Sequence, residues 1–112
     1  MKSRLPQGYN QSRGDMMKQI QIMQEQMTAK QAELEAKEYT AKAGGSMVEA
    51  TVTGGHKLAG MKINPEVIDP DDAEMLADLV CAAVNEATRV AAEDREAEMS
   101  KITGGIDLPG LI

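Results

Sequence analysis

The sequence contains no Phe, no Trp and only 2 Tyr among its 112 residues. Any core must come from Ala, Val, Leu, Ile and 9 Met, without the aromatic side chains that each bury roughly 150–250 Å². So little bulky apolar surface predicts an elongated or oligomeric protein, and 12.0 kDa leaves room for one domain only. The single cysteine, Cys81, can close no internal disulfide. With no secretion signal and no apolar run of about 18 residues, the expectation is a cytoplasmic protein with no membrane partner.

The single histidine, His56, has no cysteine or second histidine at ligand spacing, so a metal site is not expected. Cys81 is expected on the apolar side of a helix, as a small hydrophobe without a base to activate it. Asp69, Asp71 and Asp72 suggest a calcium loop only superficially, because Ala73 and Glu74 occupy positions where such a loop needs an oxygen ligand and a glycine. The glycine pairs lack the Lys-Ser/Thr of a phosphate-binding loop. No catalytic constellation, cofactor or small-molecule substrate is indicated.

Twelve Lys and Arg against 18 Asp and Glu give a net charge of −6, unevenly spread. Residues 1–30 hold five positive and two negative groups, whereas residues 66–101 hold three and eleven. The basic start, carried by Lys2, Arg4, Arg13 and Lys18, is either a phosphate-attracting surface or a solubilising tail.

Residues 1–14, with Pro6, Gly8 and Gly14 and no apolar period, read as a flexible basic arm. From Asp15, a candidate N-cap, Met16, Ile20, Met23, Met27 and Leu34 recur at seam spacing to about Lys37, with Lys30 the one polar seam position. Gly44-Gly45 and Gly54-Gly55 then bracket Val48, Ala50 and Val52, which alternate with polar residues as in a half-buried central strand. Residues 38–43 and 57–63 flank it, the latter turning Ala59, Met61 and Ile63 inward. After Asn64-Pro65, Asp69 should cap a helix with Pro70 at its first position. An apolar stripe that includes Leu76, Val80, Ala83 and Ala87 runs to about Ile102, with Gly104 as C-cap. Its alanines predict close packing, so Val48, Ala50, Val52, Leu76, Val80, Ala83 and Ala87 are the expected helix-packing or dimer residues. Helices of about 23 and 33 residues, roughly 35 and 50 Å long, must outreach so small a sheet. Antiparallel return of the second helix would bring Arg95 and Lys101 towards Arg13 and Lys18.

These parts are an α+β arrangement: a long N-terminal helix, a three-stranded antiparallel meander and a long C-terminal helix. Met16-Met17-Lys18-Gln19, the two glycine pairs, Ile63-Asn64-Pro65, Asp78-Leu79-Val80, Asn85-Glu86-Ala87 and the ending Thr103 to Gly110 together resemble the YbaB/EbfC family of bacterial nucleoid-associated proteins. The resemblance spans residues 15–112 and divides the chain into an arm (1–14), a YbaB/EbfC-like domain (15–103) and a tail (104–112). It implies a tweezer-like homodimer, no enzyme activity, a place in the nucleoid, and double-stranded DNA held through the projecting helices. Lys18 and Lys101 match basic positions of the helical tips, and Arg13 lies just before them. Asn64 departs from the Asp common in the family. A prefoldin-like holdase or adaptor is the alternative, with Met16, Met17, Ile102, Leu108, Leu111 and Ile112 as an apolar tip.

Overall fold

The computed structural model describes residues 4–104, with side chains from residue 13 onward. A helix α1 (Arg4–Ala36) leads into strands β1 (Glu38–Ala43), β2 (Val48–Thr53) and β3 (Leu58–Ile63). Two short 3₁₀ turns, Pro65–Val67 and Pro70–Asp72, precede the second long helix, α2 (Ala73–Thr103). The strands form one antiparallel sheet in the order β1-β2-β3, with Ala41 opposite Ala50 and Ala50 opposite Met61. The expected α+β meander between two long helices is therefore present.

Its proportions are those of a rod. The extents are 88 × 24 × 16 Å and the radius of gyration is 23.0 Å, against about 13 Å for a compact chain of this length. The small core explains this shape, because the sheet offers only one apolar face and α2 is the element that covers it. Tyr39, Ala41 and Val52 pack on Ala87 and Ala91. Further along, Val48 and Ala50 pack with Val67 and Ala83, flanked by the half-buried Leu76 and Val80. Val48, Ala50, Ala83 and Ala87 are completely buried. Alanine at Ala83 and Ala87 lets the helix backbone lie close to the sheet.

Several boundaries differ from those read in the sequence. α1 begins at Arg4 and passes through Asp15, so Asp15 is not an N-cap and the backbone of residues 4–14 is helical. Pro6 sits in the first turn, where its missing N–H costs no hydrogen bond, and Gly8 and Gly14 are tolerated at about 1 kcal/mol each. The start of α2 is split. Asp69 Oδ1 accepts from the Asp71 amide at 2.9 Å to cap the second 3₁₀ turn, and Asp72 Oδ1 accepts from the Met75 amide at 3.2 Å to cap α2 itself. Pro70 thus opens the 3₁₀ turn rather than α2. Asn64 caps the first 3₁₀ turn by accepting from the Glu66 amide at 2.9 Å. Gly104 caps α2 with right-handed angles, φ −63° and ψ −21°.

The two glycine pairs have different tasks. Gly44 and Gly45 take φ of +64° and +68°, as the β1–β2 turn requires. At the β2–β3 turn the left-handed residue is instead His56, φ +67°. Gly54 is needed for proximity: its amide donates to the Lys37 carbonyl at 3.0 Å, while that of Gly55 donates to the Glu35 carbonyl at 3.2 Å. These bonds satisfy carbonyls at the C-terminus of α1. A Cβ on Gly54 would stand 2.0 Å from the Leu34 carbonyl oxygen. Between Thr51 and Val52 the β2–β3 register shifts, so that Val52 faces Leu58 and Thr51 faces Gly60. The bulge leaves Ala59 unpaired and exposed, whereas Met61 and Ile63 turn inward as expected.

Candidate nucleic-acid interface

α2 crosses the sheet and continues antiparallel to α1, and a ladder of charges joins the two. The Tyr39 hydroxyl donates to Asp94 Oδ2 at 2.6 Å, and Lys37 Nζ reaches the same oxygen at 2.8 Å. Lys37 also lies 5.4 Å from the centre of the Tyr39 ring. Lys37 foremost, and then Tyr39, holds the Asp94 carboxyl below its ordinary range. Burial, reinforced by the bond to Asp94, pushes the Tyr39 hydroxyl up to about 12.

One turn along α2, Glu98 accepts from Lys101 at 2.6 Å and lies 3.4 Å from Lys30. Both cations lower its pKa, Lys101 more strongly. Lys30 is 2.8 Å from Glu33 as well, and its own pKa is raised by Glu33 and Glu98. The polar seam residue Lys30 therefore anchors the junction of the helices. On the outer side of α2, Arg89 pairs with Glu86 and Glu93. Much of the negative charge in the second half of α2 is compensated within the chain.

Beyond this junction no other described element runs alongside α1. Ile102, near the end of α2, shares a shallow groove with Gln26 and Ala29. Lys18 stands two turns further out on α1, roughly 12 Å from Gln26, and Arg13 roughly 20 Å from it. Both side chains are exposed. The expected meeting of Lys101 with Lys18 does not occur: Lys101, its side chain 71% exposed, lies beside Lys30 through Glu98. The cause is length, since α2 ends at Thr103, before it can run alongside the outer turns of α1. Arg95 is exposed on α2. Arg4 opens α1, but its side chain, like the whole of Lys2, lies outside the described residues, as do Leu108, Leu111 and Ile112.

Two cationic groups were missed in the sequence. On the sheet face opposite α2, Lys42 and Lys62 flank Glu49 at 3.9 and 3.7 Å, next to the Thr40 and Thr51 hydroxyls 2.9 Å apart. The strand alternation carried this signal, because residues 40, 42, 49, 51 and 62 are the outward members of their strands. Cys81 corrects another expectation: it is exposed, lying off the buried line Ala83–Ala87–Ala91. Among the described residues no group of three or more His, Cys, Asp or Glu side chains could hold a metal ion. No described helix is long and apolar enough to cross a membrane.

Two long helices on a small meander, one bearing exposed cations beyond the reach of the other, define an elongated α+β protein. The chain belongs to the YbaB/EbfC DNA-binding family, which matches residues 10–106. It is 50% identical over 97 residues to a nucleoid-associated protein of Clostridium acetobutylicum, covering 87% of each chain. With a nucleoid-associated protein of Thermoanaerobacter pseudethanolicus it shares 49% identity over 110 residues, 98% of this chain and 97% of the other. The crystal structure of an uncharacterized Helicobacter pylori protein has the same fold, with a TM-score of 0.62 at 19% identity over 74% of this chain and 87% of that one.

Proposed function

We propose that this chain is a non-enzymatic nucleoid-associated protein that binds double-stranded DNA as a homodimer with low sequence specificity, in the bacterial cytoplasm. In this role it influences nucleoid organisation and gene expression. The observation that carries the proposal is the segregation of charge along the rod. Asp94 and Glu98 lie at the helix junction, paired with Lys37, Lys30 and Lys101, and Lys18, with Arg13 further out, is exposed on the part of α1 that projects beyond that junction.

Arg13, Lys18 and Lys101 contact phosphates, joined by Lys2 and Arg4 at the start of the chain. Lys101 has three N–H donors and can keep Glu98 while meeting a phosphate. Nothing in this set reads bases, so binding is governed by counterion release and weakens with salt. Homodimerisation doubles the set and supplies apolar cover that one chain with so small a core lacks. Val48, Ala50, Val52, Leu76, Val80, Ala83 and Ala87 hold α2 on the sheet and so form the platform on which the dimer depends.

A gel-shift titration on two unrelated random duplexes at low and moderate salt tests this reading. It requires comparable affinities for both duplexes and a marked loss with salt. A second reading, a prefoldin-like holdase or adaptor, is favoured by the exposure of Met17 (66%) and Ile22 (52%) on α1. It requires suppression of client aggregation and no salt-dependent DNA shift.

A further inference from the structure

A shallow groove runs between α1 and α2 at their junction, lined by Gln26, Ala29 and Lys30 on α1 and by Glu98, Lys101 and Ile102 on α2. The Glu98 carboxylate lies between the two lysines and divides its oxygens between them. Oε1 is 3.4 Å from Lys30 Nζ, and Oε2 accepts from Lys101 Nζ at 2.6 Å. Glu98 is the most enclosed of the three, its side chain 21% exposed against 28% for Lys30 and 71% for Lys101. An open groove with an ammonium on each wall and an anion between them has the charge pattern of an occupied phosphate site. A phosphodiester also carries two anionic oxygens on one atom, so it can bridge the same pair.

The two contacts of Glu98 are unequal. Lys101 has N–H donors to spare and keeps Glu98 when it meets a phosphate. Lys30, at the longer distance, also holds Glu33 at 2.8 Å, so it can exchange Glu98 for a phosphate and still keep a carboxylate partner. We infer, on the basis of the DNA-binding reading above, that Lys30 is a further phosphate contact and that Glu98 is an internal competitor for it, so that DNA takes the groove only by displacing the carboxylate from Lys30. Lys30 lies about 18 Å along α1 from Lys18 and about 120° round it, so it meets a different phosphate. A carboxylate freed from Lys30 attracts cations again, which offsets part of the counterion release that drives binding. Glu98 thereby holds the affinity of the groove down.

A double-mutant cycle of affinity for a random duplex, measured across salt, tests this competition. Glu98→Gln should bind several-fold more tightly than the parent, with a steeper log–log salt slope. Lys30→Gln should abolish that gain in the Glu98→Gln background and change the affinity of the parent far less. Glu96→Gln removes the same charge from an exposed position on α2 and should give a much smaller gain. No gain from Glu98→Gln, an equal gain from Glu96→Gln, or a gain that survives Lys30→Gln would overturn the inference and leave the DNA-binding reading standing. No DNA shift by the parent or any variant would overturn both.

A measurement on the unaltered chain stands beside it and does not depend on how the variants fold. Lys30 should react with an amine-acetylating reagent several-fold more slowly in the DNA complex than in the free protein at the same salt. Lys42, on the sheet face opposite α2, should react at an unchanged rate and serves as the internal reference. Equal Lys30 rates in the free and DNA-bound protein would contradict the displacement of Glu98.

Discussion

The Tyr39 hydroxyl and the Asp94 carboxylate, 55 residues apart in the chain, meet in a 2.6 Å hydrogen bond where β1, α1 and α2 converge. This contact fixes the point at which α2 leaves the sheet, and Lys37 on the same carboxylate oxygen ties in the end of α1. It therefore sets the direction in which the rod projects. A hydrogen bond to a charged acceptor is worth about 1.5–3 kcal/mol, large against the stability of a domain this small.

Tyr39→Phe should accordingly lower stability by about 1–3 kcal/mol at neutral pH. The pH dependence has a definite sign. The Tyr39 pKa is raised to about 12 from 10.0, so the folded state holds a proton the unfolded chain releases. Stability is thus lost as pH rises from about 10 to 12. Lys30 and Lys37, also raised, act in the same direction. Asp94 and Glu98 are lowered, so their contribution is present above their ordinary values and disappears as pH falls through the folded ones. Denaturant melts across pH should show a shallower alkaline decline in Tyr39→Phe and a shallower acid decline in Asp94→Asn.

Two glycine substitutions should have opposite outcomes. Gly54→Ala places a Cβ against the Leu34 carbonyl and should cost about 1–3 kcal/mol or more, as overpacking against backbone does. Gly14 lies inside α1 with open space around it, so Gly14→Ala should add up to about 1 kcal/mol and raise helicity. Circular dichroism and thermal melts of the two variants check both. A Gly14→Ala variant with unchanged helicity would argue against a continuous α1 from Arg4.

The periodicity at both helices and the alternation at Val48, Ala50 and Val52 made the element order and most of the core legible, because burial imposes those periods. What stayed hidden came from contacts between distant segments. The role of Gly54 depends on Leu34, and the misplacement of Ala59 depends on a bulge that local alternation does not reveal. The helical state of residues 4–14 was missed because Pro6, Gly8 and Gly14 read as breakers, yet a proline in the first turn and isolated glycines leave a helix intact. Arg13 and Lys18 were visible as exposed charge. Lys101 was visible too, but its neighbour is Lys30 and not Lys18, since that depends on how far α2 extends.

Ala87 is completely buried against Tyr39, Ala41 and Val52. Ala87→Leu should push α2 off the sheet at a cost of about 1–3 kcal/mol. A thermal midpoint equal to or above that of the parent would contradict the close helix–sheet packing.

The proposed homodimer has a signature of its own. If folding and assembly are coupled, the melting temperature rises with protein concentration, and sedimentation at micromolar concentration yields a dimer. A folded monomer of 12.0 kDa with a concentration-independent melt would contradict it.

DNA binding by the projecting end of α1 is tested most directly by the salt dependence of DNA affinity, measured on one random duplex for the parent and for Arg13→Gln with Lys18→Gln. The variant should bind more weakly at every salt concentration, with a log–log slope shallower by about 0.9 for each lost phosphate contact. The same loss should appear on an unrelated duplex. Identical affinities and slopes for parent and variant would mean that the projecting end of α1 does not hold DNA.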